Sequence, residues 1–204
     1  MRRLLLPSLM GSLLLAAGSA QAQNVLMNSA ETINKGNFKI AAFPTLLFGE
    51  DDEFGESDNE FGIAGRFGYG FTDSFDIEGK VAFFDGLKLY GIDAEYWFVK
   101  NSPLDLSVSL GAHKTDLDIV DSSAIDTALI ASGNVSDNLE LYGGLNVSFE
   151  SLDDIPDSDF TRVYLVPGIE YKVHDDLDLV AEFGIGLNDD SPNYLSAGLA
   201  FYLR

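Results

Sequence analysis

Apolar and polar residues alternate with a period of two along most of this chain, which is the spacing of extended strands with unlike faces. Residues 37–49 place Phe38, Ile40, Ala42, Pro44, Leu46 and Phe48 on one face, and Lys39 opens the other. Residues 60–72 sharpen the contrast, setting Phe61, Ile63, Phe67, Tyr69 and Phe71 against Gly62, Ala64, Arg66, Gly68 and Gly70. The same pattern predicts strands over 75–84, 89–98, 104–113, 124–135, 139–149, 160–173, 177–187 and 194–203, ten in all and no helices. The faces of 124–135 differ least, and an eight-stranded count follows if two such segments fail. Pro44 and Pro167 fall in mid-strand, where a ladder donor is missing, so bulges or broken pairing are expected there.

The connections alternate in kind. Tight breaks at Thr72-Asp73-Ser74, Lys100 to Pro103, Ser136-Asp137-Asn138 and His174-Asp175-Asp176 follow the even strands. Most links after odd strands are longer and acidic, as in 49–60, 151–159 and 188–193, with Asp85-Gly86 the exception. The large-apolar face carries no charge. The opposite face carries Lys39, Arg66, Lys80, Arg162 and Lys172 against Asp76, Glu78, Asp93, Glu95, Asp105, Asp126, Glu140, Glu170, Asp178 and Glu182. Parity alone does not say which face is inside, and a soluble lipocalin-like barrel with an apolar core is the alternative. The bulk of Phe and Leu on the apolar face exceeds what a ten-stranded interior holds at close packing. The polar face is rich in Gly, Ala and Ser, and aromatics such as Phe71, Phe75, Tyr96, Phe98 and Tyr171 gather near strand ends. These features favour an antiparallel up-and-down transmembrane barrel, apolar side outward.

Ahead of the strands, Arg2 and Arg3 precede an apolar run from Leu4 to Ala17 and a small-residue site at Ala20-Gln21-Ala22. This pattern predicts a cleaved signal peptide over 1–22 and export. Residues 23–36 then form a short polar arm, expected either to fray in the periplasm or to fold a turn into the barrel mouth. The barrel itself is assigned to 37–204. Among 204 residues there are 12 Lys plus Arg against 33 Asp plus Glu, giving a net charge of −21, and no Cys. The charge disfavours nucleic acid as a partner, and the missing Cys removes disulfides and thiolate metal sites.

The signal-like start, the ten alternating segments, the turn and loop asymmetry and the last strand YLSAGLAFYL together resemble the small bacterial outer-membrane β-barrels, the size class of the outer-membrane protein A transmembrane domain. The resemblance implies residence in the bacterial outer membrane, with outer-membrane lipid and the barrel-assembly machinery as partners. Such proteins typically end in an aromatic residue, whereas here Phe201 and Tyr202 are set back from Arg204.

Candidate chemistry is sparse. By parity His113 faces the lumen with Ser107 and Ser109 below it and Thr115, Asp116 and Asp118 beyond, but no spacing marks a catalytic set, so no catalytic residue and no cofactor is expected. The acidic loops at 50–60 and 153–159 offer hard oxygen ligands for divalent cations without EF-hand spacing. Asp76, Asp105, Glu140 and Asp178 each take the first inward position after a short turn, so they are expected to ring the inner mouth, with Lys39, Arg66, Lys80, Arg162 and Lys172 as the basic lumen positions. Such a ring favours cations in a pore, unless the carboxylates pair with the lumen cations and plug it. Phe43, Leu47, Phe84, Trp97, Tyr142 and Tyr164 are inward groups able to block the path, while inward glycines such as Gly62, Gly68, Gly184 and Gly198 leave room. The leading reading is therefore a non-enzymatic barrel, structural or a narrow porin-like channel with cation preference. A surface-binding protein using the acidic loops is the alternative, and an enzyme at the outer mouth comes third.

Overall fold

The computed structural model describes residues 28–49, 59–100, 102–117, 120–153, 155–156 and 158–204. The expected signal peptide and residues 50–58 of the first acidic loop lie outside the described residues. Ten strands follow one another: β1 (Phe38–Leu47), β2 (Glu60–Thr72), β3 (Phe75–Phe84), β4 (Leu87–Val99), β5 (Asp105–Leu117), β6 (Ser122–Ser136), β7 (Leu139–Leu152), β8 (Asp159–His174), β9 (Leu177–Gly186) and β10 (Tyr194–Leu203). Each pairs with its sequence neighbours, and β1 closes on β10 antiparallel, from Phe38↔Leu203 to Leu47↔Tyr194. An antiparallel closure needs an even count, and the weakly patterned segment at 124–135 forms β6 in full. Closure leaves no sheet edge, the condition for a sheet to cross hydrocarbon.

The faces are inverted relative to a water-soluble barrel. Leu110 is 61% exposed and Phe67 58%, whereas Glu78 and Arg162 are each 2% exposed. Charge is inside and apolar bulk outside, so the soluble alternative with an apolar core is not what the chain forms. At the inner ends of β1–β3 the ring centres of Phe38 and Tyr69 lie 4.8 Å apart, those of Tyr69 and Phe71 5.0 Å apart edge to face, and those of Phe71 and Phe75 6.1 Å apart, a row of aromatics where membrane girdles lie. The Asp85-Gly86 connection is a tight hairpin whose Gly86 takes φ +68°, a conformation that suits the primed hairpin turns.

Both expected interruptions occur. The β1–β10 register runs from Ala42↔Leu199 to Thr45↔Ser196, skipping Phe43 and Pro44. The β8–β9 register runs from Leu165↔Ile185 to Gly168↔Glu182, skipping Val166 and Pro167. At the first gap the Thr45 and Ser196 hydroxyls lie 2.7 Å apart, within 3.1 Å of Phe43 O and 3.4 Å of Pro44 O respectively, so side chains serve carbonyls the ladder leaves.

Residues 28–37 of the arm turn into the barrel mouth on the short-turn side. Gly36 N donates to Gly70 O at 2.8 Å, Gly70 N to Asn37 O at 3.1 Å, and Ile33 N to Asp76 Oδ2 at 2.7 Å. Ser29, Ala30, Thr32 and Ile33 are buried. A Cβ on Gly70 would collide with the carbonyls of Ile33 and Asn34, so glycine here is what lets the arm lie against β2.

Candidate functional site

The interior is a site built by strand parity. Every second residue points inward, and ten strands bring the inward charges within reach of one another across the lumen. They form one continuous ladder of acidic and basic side chains. Lys39 Nζ lies 3.2 Å from Glu78, whose other oxygen is 3.5 Å from Arg66. Arg66 reaches Asp93 at 2.9 Å, and Asp93 reaches Lys80 at 2.7 Å. Lys80 continues to Asp126 at 2.7 Å, and His113 Nδ1 sits 2.6 Å from the same Asp126 oxygen. His113 Nε2 lies 3.9 Å from Glu150, which takes Arg162 at 2.8 Å. Both ends of the ladder are tied to a mouth. Asn28 of the arm bonds Lys39 and donates to Glu78 at 3.0 Å, and Arg162 Nε donates to Asp190 O, in the β9–β10 loop, at 3.1 Å.

Four of the expected lumen cations, Lys39, Arg66, Lys80 and Arg162, are therefore brought together, each against a buried carboxylate. The fifth, Lys172, sits at the rim, exposed, with its ammonium 3.3 Å from Asp175 in the following turn. The carboxylates that engage the cations are Glu78, Asp93, Asp126 and Glu150 rather than the four of the expected ring. Glu150 escaped the sequence reading because β7 runs to Leu152, past the point where its apolar contrast fades.

Asp76, Asp105, Glu140 and Asp178 do share the inner end, and the arm covers that end. Asp76 accepts the Ile33 N–H. Ser132 Oγ accepts the Ala30 N–H at 3.2 Å and serves Glu140, which Ser29 also bonds. Asp178 is bonded to Glu170. Asp76 Oδ1, Asp105 Oδ1 and Glu140 Oε1 are buried and find no hydrogen-bond partner among the described residues. Glu31, on the arm, keeps an exposed edge, yet desolvation by the surrounding protein raises its pKa first and the nearby Asp105 carboxylate adds to the rise.

Beside the ladder the lumen is filled by apolar side chains, with Phe43, Leu47, Phe84, Ile130, Tyr164 and Tyr194 in one buried cluster. The inward glycines leave no space here. A Cβ on Gly62 would meet the Phe84 ring, on Gly168 the Tyr142 ring, on Gly184 the Tyr194 ring and on Gly198 the Phe43 ring. Tyr142 and Tyr194 donate to Glu182 at 2.9 and 2.8 Å. Trp97 is half-buried on the lumen side near the inner end, with Lys100 Nζ 4.1 Å from its ring centre. Over the outer mouth the β9–β10 loop is pinned to β8: Val163 N donates to Ser191 Oγ at 2.9 Å, and Asn188 Nδ2 to Thr161 O at 2.6 Å.

His113 is enclosed. Ser148 Oγ donates to Asp126 Oδ1 at 2.7 Å, and Ser107 Oγ to Glu95 at 2.5 Å, so both hydroxyls are committed to carboxylates. Among the described residues no three acidic or histidine side chains form a group arranged to chelate a metal.

The family model described as the outer membrane protein beta-barrel domain matches residues 10–201. No curated protein matches the chain. Among solved structures it is similar to an outer membrane channel from Pseudomonas putida F1, at 9% identity and TM-score 0.58, over 86% of this chain and 98% of that one. It is also similar to the N-terminal β-barrel domain of Pseudomonas aeruginosa OprF, at 17% identity and TM-score 0.39, over 83% and 98% of the two chains. At these identities the first likeness is one of fold.

Proposed function

The chain belongs to the outer membrane protein beta-barrel domain family, and from that premise we propose that it is a non-enzymatic outer-membrane barrel with a closed lumen, a structural element rather than an open porin. One observation carries this reading: the ladder from Lys39 to Arg162 is buried along its whole length. Aqueous porin channels use roughly 16–18 strands, and ten enclose little more than their own side chains. A hydrated pore would leave its wall charges accessible to water. Here opposite charges meet in the middle, rings lie on the glycines beside them, and a loop and an arm cover the two mouths. The mature protein in planar bilayers under a salt gradient should carry no steady current at neutral pH. Ohmic current from every inserted molecule would refute the closed lumen.

A narrow cation-preferring path is the second reading, and the inner-end carboxylates favour it, since Asp76, Asp105, Glu140 and Asp178 form no ion pair within 4.0 Å with a described lysine or arginine. Any openings should then prefer cations; a reversal potential on the anion side would sink this reading. Catalysis at the outer mouth draws no support from His113, which is buried with Nδ1 against Asp126. Hydrolysis of a lipid or peptide that disappears in His113→Ala would overturn the non-enzymatic assignment.

A further inference from the structure

We propose that the β9–β10 hairpin is a side panel of the barrel, held shut by two side-chain clasps, which opens toward the bilayer as one unit while β1–β8 stay together. The hairpin stands between β8 and β1 in the closed sheet, so it has two seams. Each seam is interrupted at a proline. Pairing with β1 skips Phe43 and Pro44, and pairing with β8 skips Val166 and Pro167. A proline supplies no donor, and hydrocarbon offers no water in its place, so fewer bonds resist parting of the strands there. The flanking register, Ala42↔Leu199 and Leu165↔Ile185, sets Gly198 opposite Phe43 and Gly184 opposite Val166. The hairpin therefore meets both gaps with a glycine and interlocks no side chain of its own with the wall at those positions.

A second observation is independent of the prolines. The ion-pair ladder takes its residues from every strand of β1–β8, from Lys39 on β1 to Arg162 on β8, and binds those eight into one body. At the inner end the hairpin is fastened to its own entry turn: Tyr202 N donates to Asp176 O at 3.0 Å, and Arg204 Nε lies 3.3 Å from Asp176. One clasp crosses each seam. The Thr45 and Ser196 hydroxyls meet at 2.7 Å beside the first gap. Beside the second, Tyr142 lies over Gly168 and reaches across β8 to donate to Glu182 at 2.9 Å. Phe43 and Val166, both fully buried, stand directly behind the gaps, so opening would join the lumen to hydrocarbon rather than to water.

Amide hydrogen exchange on the full mature chain in lipid nanodiscs tests this, read peptide by peptide. Residues 177–203 should exchange as a group, at least about tenfold faster than β6 and β7. Thr45→Val combined with Ser196→Ala, and separately Tyr142→Phe, should quicken the hairpin by about fivefold and leave β6 and β7 unchanged. The chain has no Cys, so Thr45→Cys with Ser196→Cys gives one disulfide across the β1 seam, which should slow the hairpin until a reductant is added. Heat-modifiable migration checks that each variant folds, and the Thr45 and Ser196 variants carry the test alone if Tyr142→Phe does not. Equal protection of the hairpin and β6–β7 overturns the proposal. So do clasp variants that quicken all ten strands alike, or a disulfide without effect. Steady current in bilayers would refute the closed lumen and leave these exchange rates as they are, so the two readings fail separately.

Discussion

Asp126 is the hub of the interior ladder, and its removal should be costly. Its Oδ2 faces Lys80 at 2.7 Å and His113 at 2.6 Å, and its Oδ1 accepts from Ser148 at 2.7 Å. Deleting one partner of a buried ion pair costs about 3–5 kcal/mol because the other charge is stranded. Lys80 keeps Asp93 at 2.7 Å, which places Asp126→Ala at the lower end, about 3 kcal/mol. Asp126→Asn retains an acceptor for Ser148 while losing the charge, and should cost about 1–2 kcal/mol. The measurement is reversible denaturant unfolding in lipid vesicles, read by tryptophan fluorescence, with the slope checked for constancy. Pairing Asp126→Leu with Lys80→Met closes a double-mutant cycle. The double variant should be less destabilised than the sum of the singles by about 1 kcal/mol or more. A loss below about 1 kcal/mol for Asp126→Ala, together with additivity in the cycle, would show that water or a mobile neighbour compensates these charges and that the ladder is not a closed network.

Gly70→Val puts a Cβ where the Ile33 and Asn34 carbonyls lie, so it should expel the arm; labelling of an introduced Ala30→Cys by a water-soluble maleimide should rise from slow to fast. Replacing Thr45 by Val together with Ser196 by Ala removes the hydroxyl pair at the Pro44 gap and should lower stability by about 1–2 kcal/mol in the same unfolding assay. Leu129, mid-strand in β6 and 52% exposed, faces lipid, so Leu129→Arg should cost about 2–4 kcal/mol in vesicles. A cost near zero there would contradict the assigned outer face.

The strands were legible because two solvents act on them. Lipid selects one parity and a crowded lumen the other, so the period of two survives even in β6, where Ile125 and Leu129 alternate with Asp126 and Ala128. The strand ends were less legible. β5 runs to Leu117 and β7 to Leu152 because backbone pairing continues past the bilayer, where the outer face no longer has to be apolar. Parity also placed Lys39, Arg66, Lys80 and Arg162 inward. Which carboxylate each one meets depends on the stagger between strands and on the barrel's width, and neither is written in any single segment. The arm was the hardest to read. Asn28 to Gly36 has no periodicity, and its docking depends on Gly70, whose missing side chain counts only once Ile33 lies against it.

The alternation that turns charge inward has a consequence before the barrel exists. In the extended chain the apolar residues of the strands are interrupted every few positions by small, polar or charged ones, so no stretch of the barrel sequence is a greasy segment long enough for a secretion channel to release sideways into the inner membrane. The lipid-seeking surface is absent from the linear chain and comes into being only when β1 meets β10. A polypeptide built this way can be threaded through one membrane and still be at home in the next.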